Sequence, residues 1–303
     1  MKTLGKIFLT FCFAITLTQC SSSPSRDISQ VKLDDPGKEE VLYKRLLAAG
    51  IQESFISYLK QSPKFKLNTK YAQKNVLIAY GKNDYASFLK QPVPSEGIEF
   101  IKKNRSILMK EEGRFGVPKE IIVALMSVET RLGKNTGKEN VPSVFLSIAM
   151  SDQPEVCESI IQDMEAAVKE KLRKRCKEKA EWAVAEIVSL QDMYVKKGFP
   201  VADLVGSFAG AFGMTQFLPS SYMRWAEDGD NNNITDLYDV DDAIYSVGNY
   251  LKTNGWGNDE SQKKAALYHY NHSEEYVSTI MQLAKLITFT PRPTARHTQP
   301  KTN

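Results

Sequence analysis

The sequence contains few of the side chains that usually hold transition metals, with three histidines and four cysteines among 303 residues. His269 and His272 are not spaced as a ligand set with other residues, which argues against a zinc site. A strong excess of one charge is also lacking, since the formal net charge is +4. No nucleic-acid-binding motif accompanies the basic residues, so nucleic acid is not an expected partner. After the N-terminus, no apolar run reaches the roughly 20 residues of a transmembrane helix.

The apolar run at the N-terminus has the form of a secretory signal. Met1 to Lys6 is short and basic, and Ile7 to Leu17 is apolar but too brief to span a bilayer. The residues that end at Cys20 resemble a bacterial lipobox, in which the cysteine is lipidated, although Gln19 stands where a small residue is usual. We expect a periplasmic protein anchored to the outer membrane as a lipoprotein through Cys20. An ordinary signal peptide that leaves Cys20 incidental is the alternative.

Beyond residue 20 the hydrophobic pattern is helical nearly throughout. Segments with the alternating pattern of a strand are hard to find, so the fold class is mainly α. One amphipathic helix is predicted from Ile98 to Glu112, stopped by Gly113, and Pro118 opens the next one. The predicted segments are a signal peptide at 1–20, a polar linker at 21–40, an N-terminal helical subdomain at 41–110, a second helical domain at 111–290 and a flexible tail at 291–303.

Two further cysteines, Cys157 and Cys176, follow the signal segment and Cys20. They could pair in an oxidising periplasm. If Glu158 to Met193 formed one continuous helix, the two would lie about 28 Å apart, far beyond disulfide reach. A disulfide therefore requires a turn between them, and two unpaired thiols are the alternative.

Glu129 lies at the C-terminal end of an apolar run that begins near Glu120. A helix that is apolar all round is a buried helix. Burial and the negative end of the helix dipole both disfavour an ionised carboxylate, so the pKa of Glu129 should be raised. A carboxylic acid that stays protonated near neutral pH can act as a general acid on a glycosidic oxygen. The alternative is a structural ion pair with Arg131 or another cation.

A glycine-rich segment, Gly206 to Tyr222, contains Ser207 and Gln216. Glycine permits tight turns close to a ligand, and serine and glutamine can hydrogen-bond hydroxyl or N-acetyl groups. Together with Glu129 to Gly133 and Tyr270 to Ser273, this string resembles the membrane-bound lytic murein transglycosylase B family. The resemblance implies that residues 111–290 form a lysozyme-like helical catalytic domain that follows the N-terminal subdomain.

The same resemblance implies an activity and a set of site residues. Members of the family cleave the β-1,4 bond between N-acetylmuramic acid and N-acetylglucosamine in peptidoglycan and form a 1,6-anhydro ring without a catalytic cofactor. Glu129 matches the single acid and base. The matching substrate-binding residues are Ser207, Gln216, Tyr270, Asn271 and Tyr276, with Tyr270 expected to orient the acid and Asn271 to stabilise the reacting N-acetyl group. A muramidase that admits water and a non-catalytic lipoprotein that binds peptidoglycan are the alternatives.

A loop rich in aspartate and asparagine offers a candidate calcium site. Oxygen side chains stand at positions 1, 3, 5, 9 and 12 of an EF-hand-like pattern, namely Asp228, Asp230, Asn232, Asp236 and Asp239. Asn233 replaces the usual glycine, and Asp239 is shorter than the usual glutamate. The pattern predicts structural calcium without a direct part in catalysis. A surface turn held by its own side-chain hydrogen bonds is the alternative.

Overall fold

The computed structural model describes residues 32–77 and 85–288. The predictions for the signal segment, for Cys20 and for the tail at 291–303 lie outside these ranges. Where the predicted linker can be seen, it ends early, because the first helix begins at Pro36 and not near residue 41. Asp35 caps this helix by accepting hydrogen bonds from the backbone N–H groups of Gly37 and Lys38.

The described residues are mainly α-helical, as predicted. The helices are α1 Pro36–Ala48, α2 Glu53–Lys60, α3 Thr69–Leu77, α4 Val93–Lys103, α5 Arg105–Phe115, α6 Lys119–Thr130, α7 Val141–Ile148, α8 Pro154–Ile161, α9 Ala166–Lys197, α10 Pro219–Trp225, α11 Val240–Thr253, α12 Glu260–Tyr270 and α13 Glu274–Thr288. Short 3-10 helices span Tyr85–Leu89 and Val201–Asp203. Two short strands, β1 Glu139–Asn140 and β2 Val205–Gly206, pair antiparallel with Glu139 opposite Gly206.

No helix within the described ranges is both long enough and apolar enough to cross a membrane.

The described chain divides into two compact units, each built from two stretches of sequence. The first unit comprises 32–77 and 133–250, and the second comprises 85–132 and 251–288. This division does not follow the expected boundary at residue 110. The segment 85–110 packs with α6 and α13, so it belongs with the helix that carries Glu129.

One predicted helix is two helices in the structure. The pattern from Ile98 to Glu112 is interrupted at Asn104, whose side-chain amide donates to the carbonyl of Phe100 and closes α4. The predicted stop at Gly113 is also wrong, because α5 continues through it. Gly116 ends α5 in the left-handed conformation with φ 71°, a conformation that suits glycine.

The second unit is organised around α6. This helix is buried at every position from Ile121 to Ser127, and α4, α5 and α13 pack on it. Gly97 of α4 allows the close approach, since a Cβ there would lie 2.8 Å from Ile287 of α13 and 3.4 Å from Val123 of α6. The packing fixes the end of α6, where Glu129 lies.

The first unit is organised around α9, a helix of 32 residues that packs on α3, α7, α8 and α10. The required turn between the two cysteines lies between the end of α8 at Ile161 and the start of α9 at Ala166. Cys157 and Cys176 form a disulfide with a Cα–Cα distance of 6.2 Å. The disulfide holds α8 against α9.

Candidate active site

Glu129 lies in the last turn of α6, directly before Thr130. The helix ends there because Arg131 and Leu132 adopt left-handed backbone conformations, with φ of 53° and 59°. Glu129 is half-buried, whereas most of its helix is fully buried. The carboxyl is therefore held in a desolvated position at the negative end of the helix dipole, yet part of the side chain stays accessible.

One hydrogen bond orients the carboxyl. Tyr276, in the first turn of α13, donates its hydroxyl to Oε1 of Glu129 at 2.6 Å. The Tyr276 side chain is only 1% exposed, and the ring of Tyr85 packs edge-on against it with centroids 5.9 Å apart. Because Tyr276 is enclosed, its hydroxyl cannot turn freely away from Glu129.

The environment sets the protonation of both groups. Burial raises the pKa of the Glu129 carboxyl to about 7, and the hydrogen bond from Tyr276 partly opposes that rise. Burial also raises the pKa of the Tyr276 hydroxyl well above its usual range, and the neighbouring Glu129 and Tyr270 add to this effect. Tyr276 therefore remains a hydrogen-bond donor, while Glu129 can exist in either protonation state near neutral pH.

If Glu129 only formed a structural ion pair, it would need a cation partner such as Arg131. The Nη2 atom of Arg131 instead pairs with Glu96 of α4 at 2.9 Å. Among the described residues, the Glu129 carboxyl therefore accepts a hydrogen bond from Tyr276 and forms no ion pair with Arg131.

Tyr270 and Asn271 lie in the turn between α12 and α13, in the same unit as Glu129 and Tyr276. Tyr270 is the last residue of α12, and Asn271 is its C-cap with an extended backbone. The carbonyl of Asn271 accepts a hydrogen bond from the backbone N–H of Ser273, the residue directly before α13. The family resemblance implies that Tyr270 helps to orient the acid, and this stays a prediction; Tyr276 donates a hydrogen bond to Glu129.

Ser207 and Gln216 lie in the first unit, at the two ends of the glycine-rich loop. The Ser207 hydroxyl accepts from the backbone N–H groups of Ala209 and Ala211 at 3.4 and 3.2 Å. Gln216 has a φ of 52° and donates its amide to the carbonyls of Thr136 and Gly213 at 3.2 and 3.0 Å. These bonds use the amide nitrogen of Gln216, so its amide oxygen is the atom suited to accept from a ligand.

The predicted calcium loop brings together a different set of carboxylates. Oxygen atoms of Asp228, Asp230 and Asp242 lie within 4.8 Å of one another. Asp242 is fully buried, and its two carboxylate oxygens accept from the backbone N–H groups of Gly229 at 2.7 Å and Asp236 at 2.6 Å. Asp242 escaped the sequence analysis because the twelve-residue template ends at Asp239.

The other predicted ligands have local structural contacts. Asn232 accepts from Ile234 and donates to Asp230, at 2.7 and 2.8 Å. Asp236 accepts from the backbone N–H of Tyr238, whereas Asp239 accepts from those of Asp241 and Asp242 at the start of α11. Of the predicted ligands, Asp228 and Asp230 belong to the group of three carboxylates, whereas Asp236 and Asp239 do not.

Sequence reasoning also missed Tyr85, whose ring packs on Tyr276. No spacing pattern marks it, since its contact depends on the packing of a 3-10 helix beside α13.

Residues 36–266 match the family model described as the Transglycosylase SLT domain. The chain is 31% identical over 160 residues to the membrane-bound lytic murein transglycosylase B of Escherichia coli strain K12. The match covers 53% of this chain and 38% of that protein, so the chain spans well under half the length of this curated relative.

Two solved structures have a similar fold. The soluble lytic transglycosylase SltB1 from Pseudomonas aeruginosa superimposes with a TM-score of 0.65 at 21% identity, covering 84% of this chain and 98% of that one. The Escherichia coli lytic transglycosylase Slt35 in complex with calcium gives a TM-score of 0.64 at 21% identity, covering 88% of this chain and 98% of that one. These likenesses confirm the predicted lysozyme-like helical fold.

Proposed function

Because the chain belongs to the Transglycosylase SLT domain family, we propose that it is a lytic murein transglycosylase with Glu129 as its single acid and base. The substrate would be the β-1,4 bond between N-acetylmuramic acid and N-acetylglucosamine in peptidoglycan. The observation that carries the proposal is the half-buried Glu129 carboxyl, whose pKa is raised to about 7 and whose Oε1 atom accepts from Tyr276.

The first step uses the protonated form of Glu129. The acid donates its proton to the glycosidic oxygen, and the bond from that oxygen to the anomeric carbon breaks. The acetamido oxygen of the muramyl residue bonds to the anomeric carbon in its place. Because Tyr276 donates to Oε1, the proton of the neutral acid resides on Oε2.

The second step uses the resulting carboxylate. Glu129 takes the proton from the C6 hydroxyl, whose oxygen attacks the anomeric carbon and displaces the acetamido oxygen. The product is a 1,6-anhydro ring, Glu129 is protonated again, and no water is consumed. The Tyr276 hydrogen bond favours the carboxylate between the steps, which supports the base function.

The remaining sequence-matched residues receive roles in substrate binding. Asn271 would hold the reacting N-acetyl group, and Tyr270 lies one residue before it at the end of α12. Ser207 and Gln216 would contact glycan or peptide groups from their loop. The Ser207 hydroxyl accepts a hydrogen bond from Ala211, and the Gln216 amide donates one to Gly213, so both side chains are held in place.

We also propose a structural calcium ion in the acidic loop. Asp228, Asp230 and Asp242 form an all-oxygen group of the kind that calcium prefers, with Asn232 beside them. A calcium ion would neutralise the mutual repulsion of these carboxylates. The complex of Slt35 with calcium supports the assignment by analogy, and no catalytic step involves the ion.

For its location, we propose the periplasm, with lipid on Cys20 anchoring the protein to the outer membrane beside its peptidoglycan substrate. Incorporation of labelled fatty acid into the wild-type protein, and its loss in Cys20→Ser, would test the anchor. Equal labelling of both proteins would overturn it.

The decisive experiment for the activity is mass spectrometry of muropeptides released from purified sacculi. The protein without its signal is compared with Glu129→Gln, which keeps the size of the side chain but cannot donate the proton. We expect 1,6-anhydro-muramyl products from the first protein only. Reducing-end products would identify a muramidase instead, and binding to sacculi without release would identify a non-catalytic protein.

A further inference from the structure

The loop that follows Ser207 presents an aromatic ring to solvent. Gly210 donates its N–H to the carbonyl of Ser207 at 2.9 Å, and Ser207 donates its N–H to Ala211 at 2.7 Å, which closes a tight turn. Phe208, within this turn, leaves 37% of its surface exposed. Gly210 packs so closely on Phe145 that a Cβ would lie 2.2 Å from that ring. The loop that carries the exposed ring is therefore rigid.

Helix α3 fixes the same loop from its other side. Asn75 is 3% exposed and donates its side-chain amide to the carbonyl of Phe208 at 3.0 Å and to that of Tyr71 at 2.9 Å. Arg175 of α9 in turn holds the end of α3, donating to the carbonyl of Val76 at 2.7 Å. Asn75 thus ties the backbone of Phe208 to α3, in addition to the turn at Ser207 and the contact of Gly210 with Phe145.

A positive charge stands beside the exposed ring. The Nζ atom of Lys74, the neighbour of Asn75 on α3, lies over one side of the Phe208 ring, 5.3 Å from its centroid. Among the described residues, no carboxylate lies within ion-pair distance of Lys74. An aromatic face with an adjacent cation suits a ligand that combines the apolar face of a sugar ring with a negative charge.

We propose that Phe208 and Lys74 form a subsite that recognises a carboxylate-bearing muramyl residue. The ring of Phe208 packs on the sugar, and Lys74 pairs with the carboxylate of the lactyl group or of the peptide attached to it. Asn75 is a positioning residue that holds Phe208. This inference rests on the proposed function, since peptidoglycan is the substrate that supplies such a sugar.

Binding measurements in the Glu129→Gln background separate recognition from turnover. The ligands are peptide-free oligomers of N-acetylglucosamine and N-acetylmuramic acid, the same oligomers with peptides, and chitooligosaccharides of equal length, which lack carboxylates. Lys74→Met should weaken binding of the muramyl oligomers about three- to tenfold, as expected for loss of a charge-assisted contact. Chitooligosaccharide binding should not change. The muramyl ligand with the larger loss identifies which carboxylate Lys74 contacts.

Lys70→Met is the matched control, because Lys70 is exposed on α3 one turn before Lys74. Equal effects of the two lysine substitutions, or equal weakening of all three ligands by Lys74→Met, would overturn the subsite. If the Glu129→Gln protein with an intact α3 binds none of the ligands, the proposed function fails and the subsite fails with it.

A second substitution tests the positioning residue. Asn75→Asp keeps the size of the side chain but replaces the donor to Phe208 with an acceptor. In the otherwise wild-type enzyme, we expect KM for peptidoglycan to rise severalfold while kcat changes less, with partial recovery at low pH when the new carboxyl is protonated. Asn104→Asp is the control. Like Asn75, Asn104 donates its side-chain amide to the carbonyl four residues earlier, but it does not contact the loop. The same KM rise in both variants would overturn the role of Asn75.

Discussion

The hydroxyl of Tyr276 lies 2.6 Å from Oε1 of Glu129 and donates a hydrogen bond to it, joining the first turn of α13 to the last turn of α6. This contact opposes the effect of burial on the pKa of Glu129. It stabilises the carboxylate more than the neutral acid, because a charged acceptor makes the stronger hydrogen bond.

Tyr276→Phe should therefore raise the pKa of Glu129 above its value of about 7 in the wild-type protein. The alkaline limb of the pH profile of kcat/KM should move to higher pH. Loss of a hydrogen bond to a charged group costs about 1.5–3 kcal/mol, so kcat should fall by about 10- to 100-fold. Muropeptide release at a series of pH values measures both effects. Tyr268→Phe, on the half-exposed surface of α12, is the control, and an unshifted limb in Tyr276→Phe would contradict the assignment.

The pH dependence of the wild-type enzyme follows from the single-carboxylate mechanism. Burial raises the pKa of Glu129 to about 7, so the acid form that starts the reaction is lost as the pH rises through that value. We expect kcat/KM to decrease about tenfold per pH unit above pH ~7. Glu129 itself should produce no acid limb, because its carboxylate form is generated within each turnover. A bell-shaped profile whose acid limb disappears on substitution of a second carboxylate would contradict this mechanism.

The sequence was informative where a local pattern determines the structure. The apolar run before Glu129 predicted a buried helix with the acid at its end, and α6 has this form. The partner of Glu129 could not be derived in the same way, since Tyr276 lies 147 residues away and meets it only through packing of α13 on α6.

Two glycines and one aspartate show why local patterns also failed. Gly113 and Gly116 look alike as helix stops, but only Gly116 adopts a positive φ. Asp242 lies beyond the end of the twelve-residue template. It lies beside Asp228 because α11 places it where the backbone N–H groups of Gly229 and Asp236 donate to its two oxygens. Backbone conformation and non-local packing decided these cases.

The proposed calcium site predicts a metal-dependent stability. Calcium in excess of its dissociation constant should stabilise the folded protein by about 1–3 kcal/mol and raise Tm by about 3–10 °C. Asp228→Asn or Asp230→Asn should remove most of this gain, because each takes a negative charge from the group of three carboxylates. Thermal unfolding with calcium and with a chelator measures the effect. Asp163→Asn, on the turn after α8, is the control, and equal calcium gains in all variants would place the ion elsewhere.

Glu111 predicts a stability change that is independent of the active site. It is fully buried in α5, and neither of its carboxylate oxygens has a hydrogen-bond partner among the described residues. Burial raises the pKa of Glu111 from 4.5 to about 9. Because the folded state binds this proton more tightly than the unfolded state, the contribution of Glu111 to stability falls as the pH rises from 4.5 towards 9.

Glu111→Met should therefore stabilise the protein, and more so at pH 8 than at pH 5. Removal of an unpartnered buried polar group is worth about 1–3 kcal/mol, and the gain at high pH also includes the avoided cost of ionisation or proton uptake. Urea unfolding at the two pH values measures the difference. The exposed Glu99→Gln is the control, with little change expected at either pH. A Glu111→Met protein that is less stable at both pH values would show that the Glu111 carboxyl has a partner that stabilises it. A pH-independent gain would show that folding does not raise the pKa of Glu111.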